Sequence, residues 1–355
     1  MKTIRIGAGL GFYGDSWEPV RVSIERGGVD YIASDHLAEL TLAILQKDRA
    51  RDAALGYTRD LVPMLTALWP LAASRSVKFV LNASGLNPNG ARDALAAAFE
   101  AKGFDARIAT VTGDDVLARI DALQVAGDTL AHLDTGAKLS SVRERLVFAN
   151  AYLGAAPIVR ALQQGADIRR YFSPDVVLDM GHLRLEDLGH DRVRVSHATG
   201  HRPPTTLKVM AGYEDGWLGQ CVIGFCWPDA MAKARATIDS VRTQLAERKL
   251  EVDEVHAEFI GHDSFLGPHA DHSHEAGLNE VWLRMAVRGR ERRVADAFPR
   301  LFPWMALSGA PFMGGFHGVT PASQLLGVWP ALVARERIEE HVEVTISDVG
   351  PGVRT

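Results

Sequence analysis

The sequence predicts an α/β protein: an N-terminal open parallel α/β sheet, then a C-terminal α+β domain with ferredoxin-like β-α-β-β-α-β order. Three observations predict it. In the first half, short apolar runs alternate with amphipathic stretches, the pattern of βαβ units on a parallel sheet. In the second half, strand-like and helix-like runs follow one another in the split βαβ order. The chain has 355 residues, 47% hydrophobic and 23% charged, enough for two domains whose cores need no disulfide or structural metal.

The elements follow in order. Strands are expected at residues 3–7, 29–33, 77–82 and 107–111, and helices at 37–51, 61–73, 90–102 and 114–125. Gly103 after Lys102 is a helix stop, and Asp114 or Asp115 can cap the next helix. Right-handed crossovers place the carboxyl ends of such strands on one edge, where open α/β sheets bind ligands. A domain boundary is expected near 168–173, giving domains 1–170 and 171–355. Beyond it, strands are expected at 176–180, 192–196, 217–225, 254–260, 280–287 and 341–346, and helices at 230–248 and 292–302. From Leu307 to His341, glycines and prolines interrupt any period, so a long loop is expected.

Composition excludes several classes. A net charge of −5 argues against nucleic acid as the main partner. The one basic run, Arg288 to Arg293, includes an acid and opens a predicted helix, so it reads as a solvated face. Cys221 and Cys226 lie five apart on a strand and point to opposite faces, reading as two small buried residues in a reducing compartment. The N-terminus lacks a signal-peptide apolar run, and no stretch of about 20 apolar residues offers a membrane span. A cytoplasmic protein acting on a small molecule, without membrane contact, is expected.

Candidate chemistry sits in loops that end the predicted strands. Gly9-x-Gly11-x-x-Gly14 follows the first strand, and Asp35 follows about twenty residues later, the spacing of a dinucleotide site. Pro19, however, stands where the phosphate-binding helix would already be running. Asp35, His36 and Glu39 offer an acid/base group, or a helix cap with solvated first-turn charges. Asn82, Ser84, Gly85 and Asn87 follow the third strand, and Gly113 and Asp114 the fourth. Each loop alone is ordinary turn chemistry; together they make a pocket at one sheet edge. Residues 262–275 hold four histidines and three acids. Their spacing matches no closed zinc pattern, so a solvated loop is expected and no metal is assigned.

The stretch Ser308 to Gly318 is glycine-rich, with Gly314 and Gly315 side by side, and 327–336 reads Gly-Val-Trp-Pro-Ala-Leu-Val-Ala-Arg-Glu. This end of the chain resembles the acyclic terpene utilisation family, AtuA. Four more stretches agree, in the family's order: 28–41, 82–88, 148–159 around Asn150, and 207–217. The resemblance implies catabolism of acyclic terpenes or related branched acids, whose intermediates are coenzyme A thioesters; on such a ligand we expect a lyase- or hydratase-like step. Asp35 and His36 would be the acid/base pair. Gly11, Asp15, Asn82, Ser84, Gly85, Asn87, Gly113, Asp114, Asn150, Gly314 and Gly315 would bind ligand. A homo-oligomer is expected, and no cofactor is fixed by any motif. The alternatives are a nicotinamide-dependent oxidoreductase and a non-catalytic subunit of a catabolic complex. One departure stands out. The family resemblance leads us to expect a further long segment after Ile168, yet Ile168 is followed at once by Arg169-Arg-Tyr-Phe. Either this member has lost the segment or it is missing from the resolved chain.

Overall fold

A computed structural model describes residues 4–125, 130–152, 170–172, 176–190, 192–311, 313–316 and 319–350. The Ile168–Arg169 junction lies outside these residues. The chain divides into two compact units: Met1–Tyr213 with Val328–Thr355, and Glu214–Gly327.

The first unit opens with β1 (Ile6–Ala8), α1 (Glu18–Arg26), β2 (Tyr31–Ser34), α2 (Glu39–Arg51), α3 (Leu61–Ser74), β3 (Lys78–Leu81) and α4 (Pro88–Lys102). The strands form a parallel sheet in the order β1-β2-β3. Val20 and Ile24 of α1, Met64, Leu65 and Leu68 of α3, and Leu95 and Phe99 of α4 bury their apolar stripes in one core with Ile32. Asn87 caps α4 and Gly103 ends it in the left-handed conformation. Helix α1, interrupted on paper by Pro19, is real: proline sits in its first turn, where the missing N–H costs nothing.

Two expectations need correction here. β4 (Ala106–Thr112) does not join the parallel sheet but pairs antiparallel with the C-terminal strand Glu343–Val349. Its alternating exposure, with Arg107, Ala109 and Val111 solvated, suits a ribbon with one wet face; a parallel strand is usually buried on both. The expected strand 341–346, assigned to the C-terminal sheet, is therefore this partner, in the first unit. After β4 come α5 (Ile120–Val125), β5 (Leu146–Tyr152), which the sequence reading missed, and short strands β6 (Arg170–Phe172) to β10 (Thr199–His201), where Val177–Asp179 is β7, Arg184–Gly189 is β8 and Arg192–Ser196 is β9. The long strand β11 (Thr206–Cys226) starts in this unit and pairs antiparallel with β5. Ala149, Ala151, Leu207, Val209, Ala211 and Trp329 form a second core, and the Trp329 indole N–H donates to the Leu130 carbonyl at 3.0 Å.

In the second unit β11 continues, followed by α6 (Ala230–Glu247), β12 (Glu254–Ile260), β13 (Glu280–Gly289), α7 (Arg292–Ala297) and β14 (Met313–Phe316). The sheet order is β12-β13-β11-β14, all antiparallel. Met231, Ala234, Ile238 and Val241 of α6 pack on Ile223, Leu283 and Met285. The expected loop from Leu307 to His341 instead holds two strands, β14 and then β15 (Ser323–Ala334), which pairs with β11. Gly314, Gly315 and Gly327 lie in these strands. Cys221 is buried, its thiol pushed up to about 12 by burial, but Cys226 is exposed, contrary to expectation. A five-residue separation on a strand puts the two on opposite faces, and only one face is core.

Candidate functional site

The carboxyl ends of β1, β2 and β3 are laced together. The Gly9 N–H donates to the Ala33 carbonyl at 2.7 Å, and the Leu10 N–H to Ser34 Oγ at 2.6 Å. Asn82, at the end of β3, clasps the end of β2: its Oδ1 accepts from the His36 N–H at 2.7 Å, and its Nδ2 donates to Asp35 Oδ1 at 2.6 Å. Asp35 is exposed, while His36 is fully buried. The carboxylate beside the imidazole is not Asp35 but Asp60, whose Oδ1 lies 3.7 Å from His36 Nδ1. That distance is too long for a hydrogen bond. Burial would raise the Asp60 carboxyl, but the facing imidazole, the Gly14 N–H and Thr58 outweigh it, and the group sits below the usual carboxylate range. No sequence spacing pairs residue 36 with residue 60; the contact exists because Asp60 also accepts from the Gly14 N–H at 2.9 Å.

The glycine loop after β1 turns inward on its own acids. Gly11 N–H donates to Asp15 Oδ2 at 3.1 Å, and Ser16 N–H to Asp15 Oδ1 at 2.7 Å. With Gly14 held by Asp60, two carboxylates occupy the amides that a dinucleotide phosphate would need. In the next loop, Asn87 Oδ1 accepts from the Gly90 N–H at 2.9 Å and its Nδ2 donates to the Leu55 carbonyl at 2.9 Å. The Ser84 carbonyl accepts from Asn87 at 3.0 Å, and Gly85 N–H donates to the Asn82 carbonyl at 3.2 Å. Ser84, Gly85 and Asn87 thus make a turn and a cap; Asn82 alone reaches the neighbouring strand end.

A second polar group lies on one face of the β5–β11 pair. Asn150 Nδ2 donates to Asp114 Oδ2 at 3.0 Å. Asn150 is 4% exposed, and among the described residues its Oδ1 has no hydrogen-bond partner. Burial pushes the Asp114 carboxyl above its ordinary range, against the hydrogen bond from Asn150. Gly113, before it, has φ of +109°, and a Cβ there would overlap the His341 carbonyl, so only glycine fits. Lys208 Nζ donates to Glu39 Oε1 at 2.6 Å. The Lys208 side chain is 8% exposed and that of Glu39 40%. Lys208 stands opposite Tyr152, and Met210 opposite Asn150. Lys208 and Asn150 therefore share a sheet face as diagonal neighbours, with Cα atoms about 7–8 Å apart. The other face, with Leu207, Val209, Ala211, Ala149 and Ala151, is wholly apolar core. Glu39–Lys208 and Asn150–Asp114 thus form a polar row on a face that also buries Met210 and Phe148. Glu39 is four residues beyond Asp35, so their Cα atoms are at most about 14 Å apart.

Lys208 escaped the sequence reading. The available signal was a single lysine inside a strand otherwise buried from Leu207 to Gly212. Gly314 and Gly315 fall in the second unit, on β14. Gly315 has φ of +71° and lies against the Trp282 ring, where a Cβ would collide. Strand packing accounts for it.

The family described as acyclic terpene utilisation family protein AtuA matches residues 4–168 and 169–344. The chain belongs to the acyclic terpene utilisation family. The match is broken between Ile168 and Arg169, the junction at which the sequence leaves the family pattern. No curated protein and no solved structure matches the chain. Among the described residues, no helix is long and apolar enough to cross a membrane.

Proposed function

We propose that this member of the acyclic terpene utilisation family carries out a lyase- or hydratase-type step on a coenzyme A thioester of an acyclic terpenoid or branched acid. The row Glu39–Lys208–Asn150–Asp114 carries the proposal. Buried polar groups are costly unless they serve a ligand or each other, and acid/base sites are where burial tunes carboxyl groups. In this reading Asp114, kept protonated more readily by burial, donates a proton to the departing hydroxyl, which leaves as water; in the hydration direction its carboxylate takes that proton back from the attacking water. The exposed Asp35 carboxylate, aimed by Asn82, takes the proton from the carbon next to the thioester carbonyl. Lys208 offsets the charge that develops on the carbonyl oxygen. His36 is a positioning residue, buried beneath the loop. The second unit, with antiparallel order β12-β13-β11-β14 and helices α6 and α7 between strands, fits a ferredoxin-like α+β module. The nicotinamide reading is weaker, because Asp15 and Asp60 already hold the loop amides and Asn82 holds Asp35.

Thermal shift and calorimetry with branched acyl-CoA thioesters, the free acids and NAD(P) test the reading. Ligand at 100 times its Kd stabilises the native state by about 2.7 kcal/mol. Thioesters should raise the melting temperature of the wild type and lose that effect in Lys208→Met. Stabilisation by NAD(P) alone, or unchanged thioester turnover in Asp114→Asn, would overturn it.

A further inference from the structure

We propose that His262, His272 and Glu275 form a site for a divalent transition metal of the zinc type, in the loop joining β12 to β13. The three side chains come from positions ten and three residues apart, a spacing that matches no linear zinc motif, and folding brings them to one point. His262 Nε2 lies 3.2 Å from His272 Nδ1 and 3.1 Å from Glu275 Oε1, and His272 Nδ1 lies 2.6 Å from the same oxygen. All three donor atoms fall within 4.8 Å of one another. A tetrahedral zinc with Zn–N bonds near 2.0–2.1 Å separates its ligand atoms by about 3.3 Å, close to the two longer edges of this triangle.

Protons alone satisfy the triangle poorly. If both imidazoles donate to the carboxylate, two N–H groups face each other across 3.2 Å. If one imidazole donates to the other, the carboxylate loses a donor. A cation at the centre satisfies all three lone pairs at once. Two imidazoles and one carboxylate are a donor set for first-row divalent metals. Arg235 on α6 holds the carboxylate from behind, Nη2 to Oε1 at 2.8 Å and Nη1 to Oε2 at 2.6 Å. That is the outer hydrogen bonding that orients a ligating carboxylate. The His262 and Glu275 side chains are 10% and 15% exposed, but that of His272 is 49% exposed. One side of the site is therefore open, leaving a coordination position for water or an anionic ligand. The site is built wholly within the second unit and shares no residue with the acid/base row.

The test uses the full chain, stripped with chelator and desalted, and titrated with Zn²⁺ and with Co²⁺. One equivalent should bind, Co²⁺ should give visible absorption of a low-coordinate N/O site, and Zn²⁺ should raise the melting temperature. His262→Ala/His272→Ala should weaken binding by more than the roughly 10–100-fold that loss of an outer-shell partner costs. His272→Ala alone, a half-exposed position, should show the same loss with an unchanged circular dichroism spectrum. The chain holds 13 histidines, so binding of equal strength in wild type and both variants would assign the metal elsewhere and overturn the site. Absence of binding to the wild type would also overturn it.

Discussion

The Glu39–Lys208 pair predicts an asymmetry that a symmetric surface salt bridge would not show. The ammonium is 8% exposed and the carboxylate 40%. Removing one partner of a buried ion pair costs about 3–5 kcal/mol, because the other is left charged away from water. The cost falls on whichever group stays behind. Glu39→Gln takes the carboxylate from a buried ammonium that keeps another interaction; discounting for that and for the partial exposure of the pair, the expected loss is about 2 kcal/mol. Lys208→Met leaves a carboxylate that water can reach and places an apolar chain in a buried position, so the expected loss is under about 1 kcal/mol. For a unit of this size each kcal/mol lowers the melting temperature by about 2–4 °C. The double variant should resemble Lys208→Met, and the cycle gives the coupling directly. There is also a pH signature. Burial raises the Glu39 carboxyl, but the Lys208 hydrogen bond outweighs it and the group lies below its ordinary value. Its unfolded form titrates near 4.3. The pair's contribution is thus fully present above that value and is lost as pH falls through the lower folded value. Calorimetric melts from pH 3 to 8 read both effects. Equal losses for the two single variants, or a Lys208→Met loss larger than that of Glu39→Gln, would refute the reasoning.

Three further outcomes are expected. Asp114→Asn should stabilise the protein at neutral pH while lowering turnover. Its folded carboxyl is raised, so wild-type stability falls as pH rises from the unfolded value of about 3.9 through the folded one, and the gap to the variant should close in acid. Asn82→Ala removes the acceptor of the His36 N–H and the donor to Asp35; a loss of about 1–3 kcal/mol in denaturant melts is expected, together with weaker ligand binding. Gly113→Ala places a Cβ against the His341 carbonyl at φ of +109° and should cost roughly 2–3 kcal/mol in the same melts.

Helices α3, α4 and α6 were legible because their apolar residues recur at helical spacing and because α4 carries ordinary end signals, Asn87 at its start and Gly103 at its stop; the helix expected at 114–125 is α-helical only from Ile120. What failed was partner choice. Arg107 to Val111 reads correctly as a strand, yet only its alternating exposure reveals a ribbon with Glu343–Val349 in place of a seat in the parallel sheet. Pairing partners more than 200 residues apart leave no local trace. The same limit governed the site. Asp35, Asn82, Asp114 and Asn150 were found because polar residues end strands, but their pairings were not. Asp60 and Lys208 were missed because each meets its partner only through tertiary contact. The glycine-rich C-terminal stretch misled in the opposite direction: Gly315 against Trp282 serves strand packing, with no reference to a ligand.

The two faces of the β5–β11 pair provide the argument for where ligand chemistry lies. One face buries Leu207, Val209, Ala211, Ala149 and Ala151, and it meets every need of folding at that position. The opposite face of the same strands buries Met210 and Phe148 but also Lys208 and Asn150, with Asp114 and Glu39 attached. Stability does not require this second arrangement, since apolar replacement of a buried charged network is often neutral or favourable. Nor does solubility, since these groups are largely out of water. Among the described residues the Asn150 Oδ1 atom has no partner, and a buried orphan acceptor costs about 1–3 kcal/mol. That cost is consistent with the proposed ligand row and gives a purely structural role for these groups less to rest on. The Asp114→Asn variant decides between the two accounts by its turnover: burial alone predicts its gain in stability, but only a functional row predicts that turnover falls with it.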